Sequence, residues 1–246
     1  GLGKSYVALG LAVAVATGKP FCGRPTAQRP VLILDRENQQ HMMRRRLEQL
    51  GGRDIPAEGL RFWAGWHEFP PEINSPLVAA FAKAGGLIII DCFIRFFEGK
   101  SENDSVAIAQ FMRPLLTLAR IGGTVLLLHH SGKATTAQSY RGSSDFLAAV
   151  DASFVLKRDG NPADHLTTFT LKTIKTRAGS ARDLRGRLTS SGFFGETSRP
   201  EPDEVSPSVA PPNPDAIRRK LVEAMDAKGV KCFTSEQALQ ALGGYR

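Results

Sequence analysis

The chain opens with Gly1-Leu2-Gly3-Lys4-Ser5, and an apolar segment with helical spacing, residues 6–16, follows at once. These five residues match the second half of the phosphate-binding loop G-x-x-x-x-G-K-[ST], whose first glycine we expect upstream of residue 1. In such a loop, backbone N–H groups and the positive end of the following helix hold the phosphates. Lys4 would reach the β and γ phosphates, and the Ser5 hydroxyl would bind Mg²⁺. A glycine-rich turn before a helix is the alternative interpretation.

Downstream of this loop, short aliphatic runs alternate with segments of helical period. That alternation predicts an α/β fold with a mostly parallel sheet and helices on both faces. The turn-forming residues 159–162, Asp-Gly-Asn-Pro, predict an antiparallel hairpin at one edge of the sheet. Strands are predicted at 31–35, 60–63, 87–91, 124–129, 152–157 and 166–175, and helices at 4–17, 39–50, 75–84, 104–119 and 143–150.

The composition narrows the class of protein further. Of 246 residues, 32 are Lys or Arg and 24 are Asp or Glu, and the resulting formal net charge of +8 favours a polyanionic partner. A hydrophobic share of 42% and a charged share of 23% are those of a folded, soluble protein. The three cysteines, Cys22, Cys92 and Cys232, are widely spaced, so neither a disulfide framework nor a zinc site is predicted. We expect a cytoplasmic protein without a membrane span.

A domain boundary is predicted at residues 196–214. This segment holds six of the fifteen prolines together with four acidic residues, which is the composition of a solvated linker. Residues 1–195 would then form one core domain. Residues 215–246 would form a partial helical segment, winged-helix-like in its pattern, in which Asp215 can cap the first helix.

Two of the predicted strands lead into carboxylates. Asp91 ends the strand 87–91, and in a nucleotide site such an aspartate holds a water on the Mg²⁺, although an aspartate can also cap the next helix. After the strand 31–35, Glu37 is our candidate for the base that orients and deprotonates the attacking water. Asp35 can simply end its strand, and a surface role for either acid is the alternative.

Two histidines follow another strand at the same sheet edge. His129 and His130 precede Ser131-Gly132-Lys133, and they can sense a γ phosphate by donating a hydrogen bond. A hydrogen-bonded structural histidine is the alternative. A zinc site is disfavoured because no third ligand is evident nearby in the sequence.

Five features in this order resemble the RecA-like ATPases. They are the GxGKS loop, the acids Asp35 and Glu37, the strand ending at Asp91, the segment 129–133, and Arg141-Gly142-Ser143-Ser144. The resemblance is closest to the RepA-type hexameric replicative helicases of plasmids and phages, often described as AAA-family ATPases, and it covers residues 1 to about 192. It implies a RecA-like P-loop core, with ATP and Mg²⁺ as cofactors.

The same resemblance implies a role for individual residues. Glu37 would be the catalytic base, and His129 with His130 the sensor that links the γ phosphate to DNA-binding loops. Because the family's ATP site lies between subunits, a neighbour supplies a cation, for which Lys175 and Arg177 are favoured and Arg141 is a second phosphate-side contact. Nucleotide would be bound by Gly1, Gly3, Lys4, Ser5 and Tyr6, and Mg²⁺ by Ser5 and Asp91.

The implied function is an ATP-hydrolysing oligomeric motor, a replicative helicase that acts on single-stranded DNA as a hexameric ring. A replication initiator or primase is a further implied partner. A RecA-like recombinase or loader ATPase is one alternative, and a nucleotide-dependent DNA-binding or scaffold protein is another. The DNA contacts expected from the sequence are Tyr140 and a run of basic residues: Lys172, Lys175, Arg177, Arg182, Arg185 and Arg187. The alternative for this run is a solvated hairpin at the sheet edge. For the aromatic residues Phe93, Phe96 and Phe97, we expect a role in packing and not in stacking on DNA bases.

Overall fold

The computed structural model describes residues 3–130, 144–159, 167–177, 179, 182–189 and 192–195. The chain divides into two units, Gly1–Ser198 and Arg199–Arg246, and every described residue belongs to the first. The predicted linker and C-terminal helices therefore lie outside the described residues. So do Gly1, Arg141 and Tyr140.

Four parallel strands form the first sheet, in the order β2-β1-β3-β4. They are β1 (Val31–Asp35), β2 (Leu60–Ala64), β3 (Leu87–Asp91) and β4 (Thr124–Leu127). Every residue of β1 and β3 is buried, as expected for central strands that are covered on both faces. The α/β fold predicted from the sequence is thus confirmed.

Alternate residues of the central strands serve two separate cores. Ile33 and Ile89 pack with helices α1 (Lys4–Thr17) and α2 (Gln40–Gln49). Leu34 and Ile90 pack on the other face with α3 (Pro76–Lys83) and α5 (Ser105–Arg120). This period of two follows from the strand geometry, in which successive side chains point to opposite faces.

The helix ends agree with the predicted ones to within one residue, and two of the N-termini carry a clear local signal. Asp104 caps α5 by accepting hydrogen bonds from the backbone N–H groups of Val106 and Ala107, and Ser75 caps α3 in the same way. Two short features differ. Helix α4 (Phe93–Phe96) was not predicted, and β4 ends at Leu127, so both histidines lie beyond the strand.

Helix α1 is apolar on nearly all sides because it is covered twice. Leu9 and Val13 pack against the parallel sheet, while Ala14 contributes to a different cluster with Leu156 and Phe169. Those two residues belong to the second sheet, so α1 lies between two sheets. A helix in such a position has to be hydrophobic all round.

The second sheet is antiparallel, with the strand order β5-β6-β7-β8. The predicted hairpin forms from the first two strands, β5 (Ala152–Asp159) and β6 (Thr167–Thr176). It does not extend the parallel sheet, however, since it pairs instead with β7 (Leu184–Thr189) and β8 (Gly192–Gly195), which were not predicted. These two strands are short and contain glycines, which weakens their strand pattern.

The sixth helix, α6 (Ser144–Ala149), leads into this sheet. No helix among the described residues has the length and apolarity to cross a membrane.

Phe93 is the centre of an aromatic cluster that anchors α4 to the core. It is 1% exposed, and its ring contacts those of Phe97, Phe111 and Phe146. We expect Phe93→Ala to lower the free energy of unfolding by about 3–5 kcal/mol, measured by denaturant titration, because a large buried ring is replaced by a cavity. The free energy of unfolding of Phe93→Leu should lie between those of Phe93→Ala and the wild type.

Phe69 provides the matched control, because it is 70% exposed. Phe69→Ala should change the free energy of unfolding by less than about 0.5 kcal/mol. Equal losses at the two positions would contradict the assignment of Phe93 to the core.

Candidate active site

The carboxyl ends of the parallel strands bring the predicted polar residues to one edge. β1 and β3 are neighbours in register, with Asp35 opposite Asp91. Glu37 follows β1 and His130 follows β4, so both are at this edge with the two aspartates. Open α/β sheets bind their ligands at this edge.

The N-terminus of α1 suits an anion. Gly3 is the N-cap residue with φ +85°, a left-handed conformation that disfavours a side chain, and an added Cβ would meet no atom within 4 Å. Its backbone geometry, and not close packing, therefore requires glycine. The first turn of α1 contains no acidic residue, so its N–H groups and the helix dipole favour negative charge.

Two buried carboxylates lie side by side at the sheet edge. Asp35 is 0% exposed and Asp91 is 4% exposed, and the Asn38 side-chain amide donates to both, at 3.0 Å and 3.1 Å. Asp91 also accepts a hydrogen bond from the Ser5 side chain. Burial, followed by the negative charges of Asp35 and Glu37, raises the pKa of Asp91 to about 6 against the effect of these hydrogen bonds.

Glu37 is held in place by its backbone and by its carboxylate. The backbone N–H groups of Glu37 and Asn38 donate to Asp35 Oδ1 at 2.8 Å and 2.9 Å, which fixes the turn after β1. The Cys92 thiol donates to Glu37 Oε2 at 2.6 Å. Burial would raise the pKa of Glu37, but hydrogen bonding from Cys92 and the proximity of His130 and Arg95 outweigh it and lower the pKa. Glu37 is therefore ionised at neutral pH.

The two histidines point to different places. His130 Nδ1 is 3.4 Å from Lys4 Nζ, and His130 Nε2 is 3.6 Å from Glu37 Oε2. The His129 ring instead stacks on Phe93 with a centroid distance of 4.9 Å, and burial lowers its pKa. Thus the structure brings His130 to Lys4 and Glu37 and places His129 in the aromatic cluster.

Helix α2 contacts both the start of α1 and the turn after β1. The Tyr6 hydroxyl donates to Gln49 Oε1 at 3.2 Å, which directs this predicted nucleotide contact towards α2. In the arginine triplet 44–46 of α2, Arg44 and Arg45 are exposed. Arg46 instead donates to Asn38 Oδ1 at 3.1 Å and so orients the amide that joins the two aspartates.

The basic residues of the second sheet fall into two groups. Lys175 Nζ donates to the carbonyl of Leu147 at 2.5 Å, and Arg177 Nη2 donates to that of Ala148 at 2.6 Å. Both cations thus cap the C-terminal end of α6, where a positive charge is favourable. Arg185 and Arg187 are exposed and pair with Thr170 and Thr168 of β6, so they lie on the face opposite Phe169 and the buried cluster.

Three contributions to the site were not predicted from the sequence. Asn38 joins the two aspartates, Asp35 organises the turn that presents Glu37, and Cys92 contacts the Glu37 carboxylate. The signal for the first two was the Asp-x-x-Asn spacing directly after a buried strand, because Asp and Asn side chains often bond to the backbone of a turn. Cys92 carried no such local signal.

Ser5 and Asp91 suit the Mg²⁺ that the phosphate loop implies. Both offer oxygen ligands, which this cation prefers. Asp35, Glu37 and Asp91 also concentrate negative charge here, and the charges of the first two add to the effect of burial in raising the pKa of Asp91. A divalent cation would offset that repulsion.

The fold and this edge are those of P-loop ATPase domains: a parallel sheet, a Gly-Lys-Ser sequence at the start of α1 and an aspartate at the end of β3. A family model described as an AAA domain matches residues 1–136, which is more than half of the chain. The chain belongs to this family of nucleotide-dependent ATPases. No curated protein matches the sequence significantly.

The buried charge of Asp91 makes stability depend on pH. Since folding raises its pKa to about 6, the native state binds this proton more tightly than the unfolded chain does, and stability falls as the pH rises from about 4 to about 6. Without added metal, Asp91→Asn should therefore raise the free energy of unfolding by about 1–3 kcal/mol at neutral pH. This gain in the free energy of unfolding should disappear at about pH 4 in denaturant titrations.

Asp54 is an exposed aspartate and serves as the control. Asp54→Asn should leave the pH profile of stability unchanged. An Asp91→Asn profile parallel to that of the wild type would contradict the effect of burial on Asp91.

Proposed function

We propose that this protein is an ATP-hydrolysing, oligomeric motor that acts on single-stranded DNA, a replicative helicase of the RepA type. The observation that carries the proposal is the meeting of Lys4, Glu37, Asp91 and His130 at one sheet edge. A phosphate-binding cation, a base and a metal-site carboxylate are parts that hydrolysis of a γ phosphate uses, and the His130 imidazole lies between the cation and the base.

Each residue has a task in this proposal. Lys4 and the first-turn amides of α1 bind the phosphates, and Ser5 with Asp91 would hold Mg²⁺. When bound, Mg²⁺ neutralises charge on the phosphate oxygens. Glu37 accepts a proton from the attacking water, for which its lowered pKa keeps it ionised. Cys92 and His130 both contact Oε2 of Glu37, and we assign Oε1 to the water.

His130 provides the link between the phosphates and the base. In the described structure it contacts Lys4 through Nδ1 and faces Glu37 through Nε2. If Lys4 moves to the γ phosphate when ATP binds, His130 loses that contact and can report the nucleotide state to the segment that follows it. This is the sensor role proposed for the histidine pair, with His130 as the member next to the site.

Single-stranded DNA is the proposed polyanion, and the second sheet offers a surface for it. Arg185 and Arg187 are exposed together on one face, and Arg182 is exposed where β7 begins. Such a surface meets the phosphates of a strand and confers strong salt dependence. A hexameric ring, with a replication initiator or a primase as a further partner, completes the proposal. A recombinase or loader ATPase and a nucleotide-dependent scaffold are the competing functions.

Glu37→Gln tests the chemistry. It keeps the shape of the side chain but removes the base, so we expect kcat for ATP hydrolysis to fall by roughly 10²–10⁴-fold while ATP binding is retained. The exposed Glu68 supplies the matched control, because Glu68→Gln should keep the wild-type kcat. Undiminished turnover in Glu37→Gln would refute the assignment of the base.

Single-stranded DNA and a forked duplex separate the competing functions in the same preparation. The motor hypothesis expects DNA to stimulate hydrolysis and ATP to drive unwinding of the fork. Stimulation without unwinding would favour a recombinase or loader. No response of hydrolysis to DNA would favour the scaffold.

Lys175 and Arg177 are proposed to act on the ATP of a neighbouring subunit. Arg177→Ala and Glu37→Gln subunits should each be inactive alone, because each variant lacks one half of every shared site. Equal mixing should restore hydrolysis at about a quarter of the interfaces, where an intact Glu37 meets an intact Arg177. The ATPase rate of the mixture is compared with the rate of each variant alone, treated in the same way.

The structure gives Arg177 a second role within its own subunit, and the mixing experiment separates the two. Arg177 donates to the carbonyl of Ala148 and pairs with Asp151 at 3.1 Å. If its effect on hydrolysis comes from holding α6, mixing restores nothing. Asp151→Asn would then reproduce part of the loss.

A further inference from the structure

Three different ligand types meet beside the proposed base. Glu37 Oε2, Cys92 Sγ and His130 Nε2 come from the ends of β1, β3 and β4, and all three atoms lie within 4.8 Å of one another. The sulfur is 2.6 Å from the carboxylate oxygen and 3.5 Å from the imidazole nitrogen. The nitrogen is 3.6 Å from the same oxygen.

We propose that Glu37, Cys92 and His130 form a Zn²⁺ site, separate from the oxygen ligands Ser5 and Asp91, and that zinc bound there blocks ATP hydrolysis by occupying the base. The blocking effect rests on the proposed function of Glu37. The binding itself does not.

The distances suit a tetrahedral ion. With metal–ligand bonds of about 2.0–2.3 Å, the ligand atoms of a tetrahedral zinc site are about 3.3–3.8 Å apart. The separations of His130 from Cys92 and Glu37, 3.5 Å and 3.6 Å, already have this value. The third separation, 2.6 Å, is that of a hydrogen bond between the thiol and the carboxylate. It has to open by about 1 Å when the metal takes the place of the thiol proton, which leaves to solvent.

The chemistry of the ligands selects the metal. A thiolate with an imidazole and a carboxylate favours zinc over magnesium, whereas Ser5 and Asp91 offer oxygen alone. Asp91 and Cys92 are consecutive, yet their side chains serve different partners, Ser5 and Glu37 respectively. Two consecutive residues, Asp91 and Cys92, therefore belong to metal positions that prefer different ions, Mg²⁺ and Zn²⁺ respectively.

The site is open on one side and closed on the other. The side chains of His130 and Glu37 are 51% and 33% exposed, which leaves an entry path and room for a water as fourth ligand. Cys92 is 1% exposed and anchors the buried side. An open fourth position is typical of exchangeable or catalytic zinc, and so fits a reversible inhibitor better than a structural ion.

Zinc and Lys4 would compete for the same imidazole. A neutral histidine has one lone pair, so coordination through Nε2 places its proton on Nδ1, the atom that now faces Lys4 Nζ at 3.4 Å. The ammonium cannot donate to that nitrogen while the metal is bound. Zinc would thus affect both the base and the phosphate-binding lysine.

Titration with Co²⁺ tests binding directly, because a tetrahedral Co²⁺–thiolate site has intense visible bands and a sulfur-to-metal charge-transfer band in the near ultraviolet. The full chain is used in a Cys232→Ser background, without nucleotide. We expect these bands to saturate at one equivalent of Co²⁺ per chain and to disappear when Zn²⁺ is added, but not when Mg²⁺ is added.

Four variants make the result specific to the site. Cys92→Ala should lose the charge-transfer band, and His130→Ala, which removes an exposed side chain, should weaken Co²⁺ binding at least tenfold. Cys92→Ser keeps a hydrogen-bond donor to Glu37 but should also lose the band. Cys22→Ser is the control, because Cys22 lies in the separate cluster with Phe169 and should have no effect. Absence of the band in the parent protein, or its persistence in Cys92→Ala, overturns the proposal.

Hydrolysis supplies an independent readout. Added Zn²⁺ should lower the ATPase rate of the parent protein at least tenfold, and a zinc-selective chelator should restore it. Each variant is compared with itself, with and without zinc, so its basal rate does not matter. Equal zinc sensitivity in the parent and in Cys92→Ala would overturn the blocking role. If the parent had no ATPase activity, the proposed function would fail while the cobalt spectrum still decided the metal site.

Discussion

Two carboxylates buried side by side form the constraint on which the rest of this site depends. Asp35 and Asp91 are brought together because β1 and β3 are parallel neighbours in register. Burying both without partners would cost several kcal/mol, so their surroundings must supply hydrogen bonds. Asn38 donates to both, Ser5 donates to Asp91, and Arg46 orients Asn38. These interactions connect the phosphate loop, the turn after β1 and helix α2 around a single pair of acids.

Helix α1 connects this edge to the second half of the molecule. It begins at the phosphate loop, packs on the parallel sheet through residues such as Leu9, and meets the antiparallel sheet through Ala14. Because both contacts are closely packed, a displacement of its first turn would be transmitted to both sheets. The second sheet carries the exposed basic residues Arg185 and Arg187. This arrangement offers a physical route between a bound phosphate and a polyanion on the other sheet.

The cations at the end of α6 have two competing uses. Lys175 and Arg177 stabilise the helix by binding its last carbonyls, yet they are also the proposed contacts to a neighbouring nucleotide. A phosphate that drew these cations away would compete with the carbonyls for them. In an assembly, recruitment of these cations by a phosphate would release α6.

The sequence by itself determined the parallel α/β core, since apolar runs, helical periods and capping residues are local signals that agreed with one another along residues 4–120. It also indicated Lys4, Glu37 and Asp91, because their neighbours form recognisable patterns. Only the tertiary structure decided that β5 and β6 join a separate sheet, that His130 and not His129 lies near Lys4, and that Cys92 touches Glu37. The first outcome depends on the pairing of β6 with β7, and the other two depend on side-chain direction after a strand ends and on contacts between residues 37, 92 and 130. Periodicity along the chain carries no information about either.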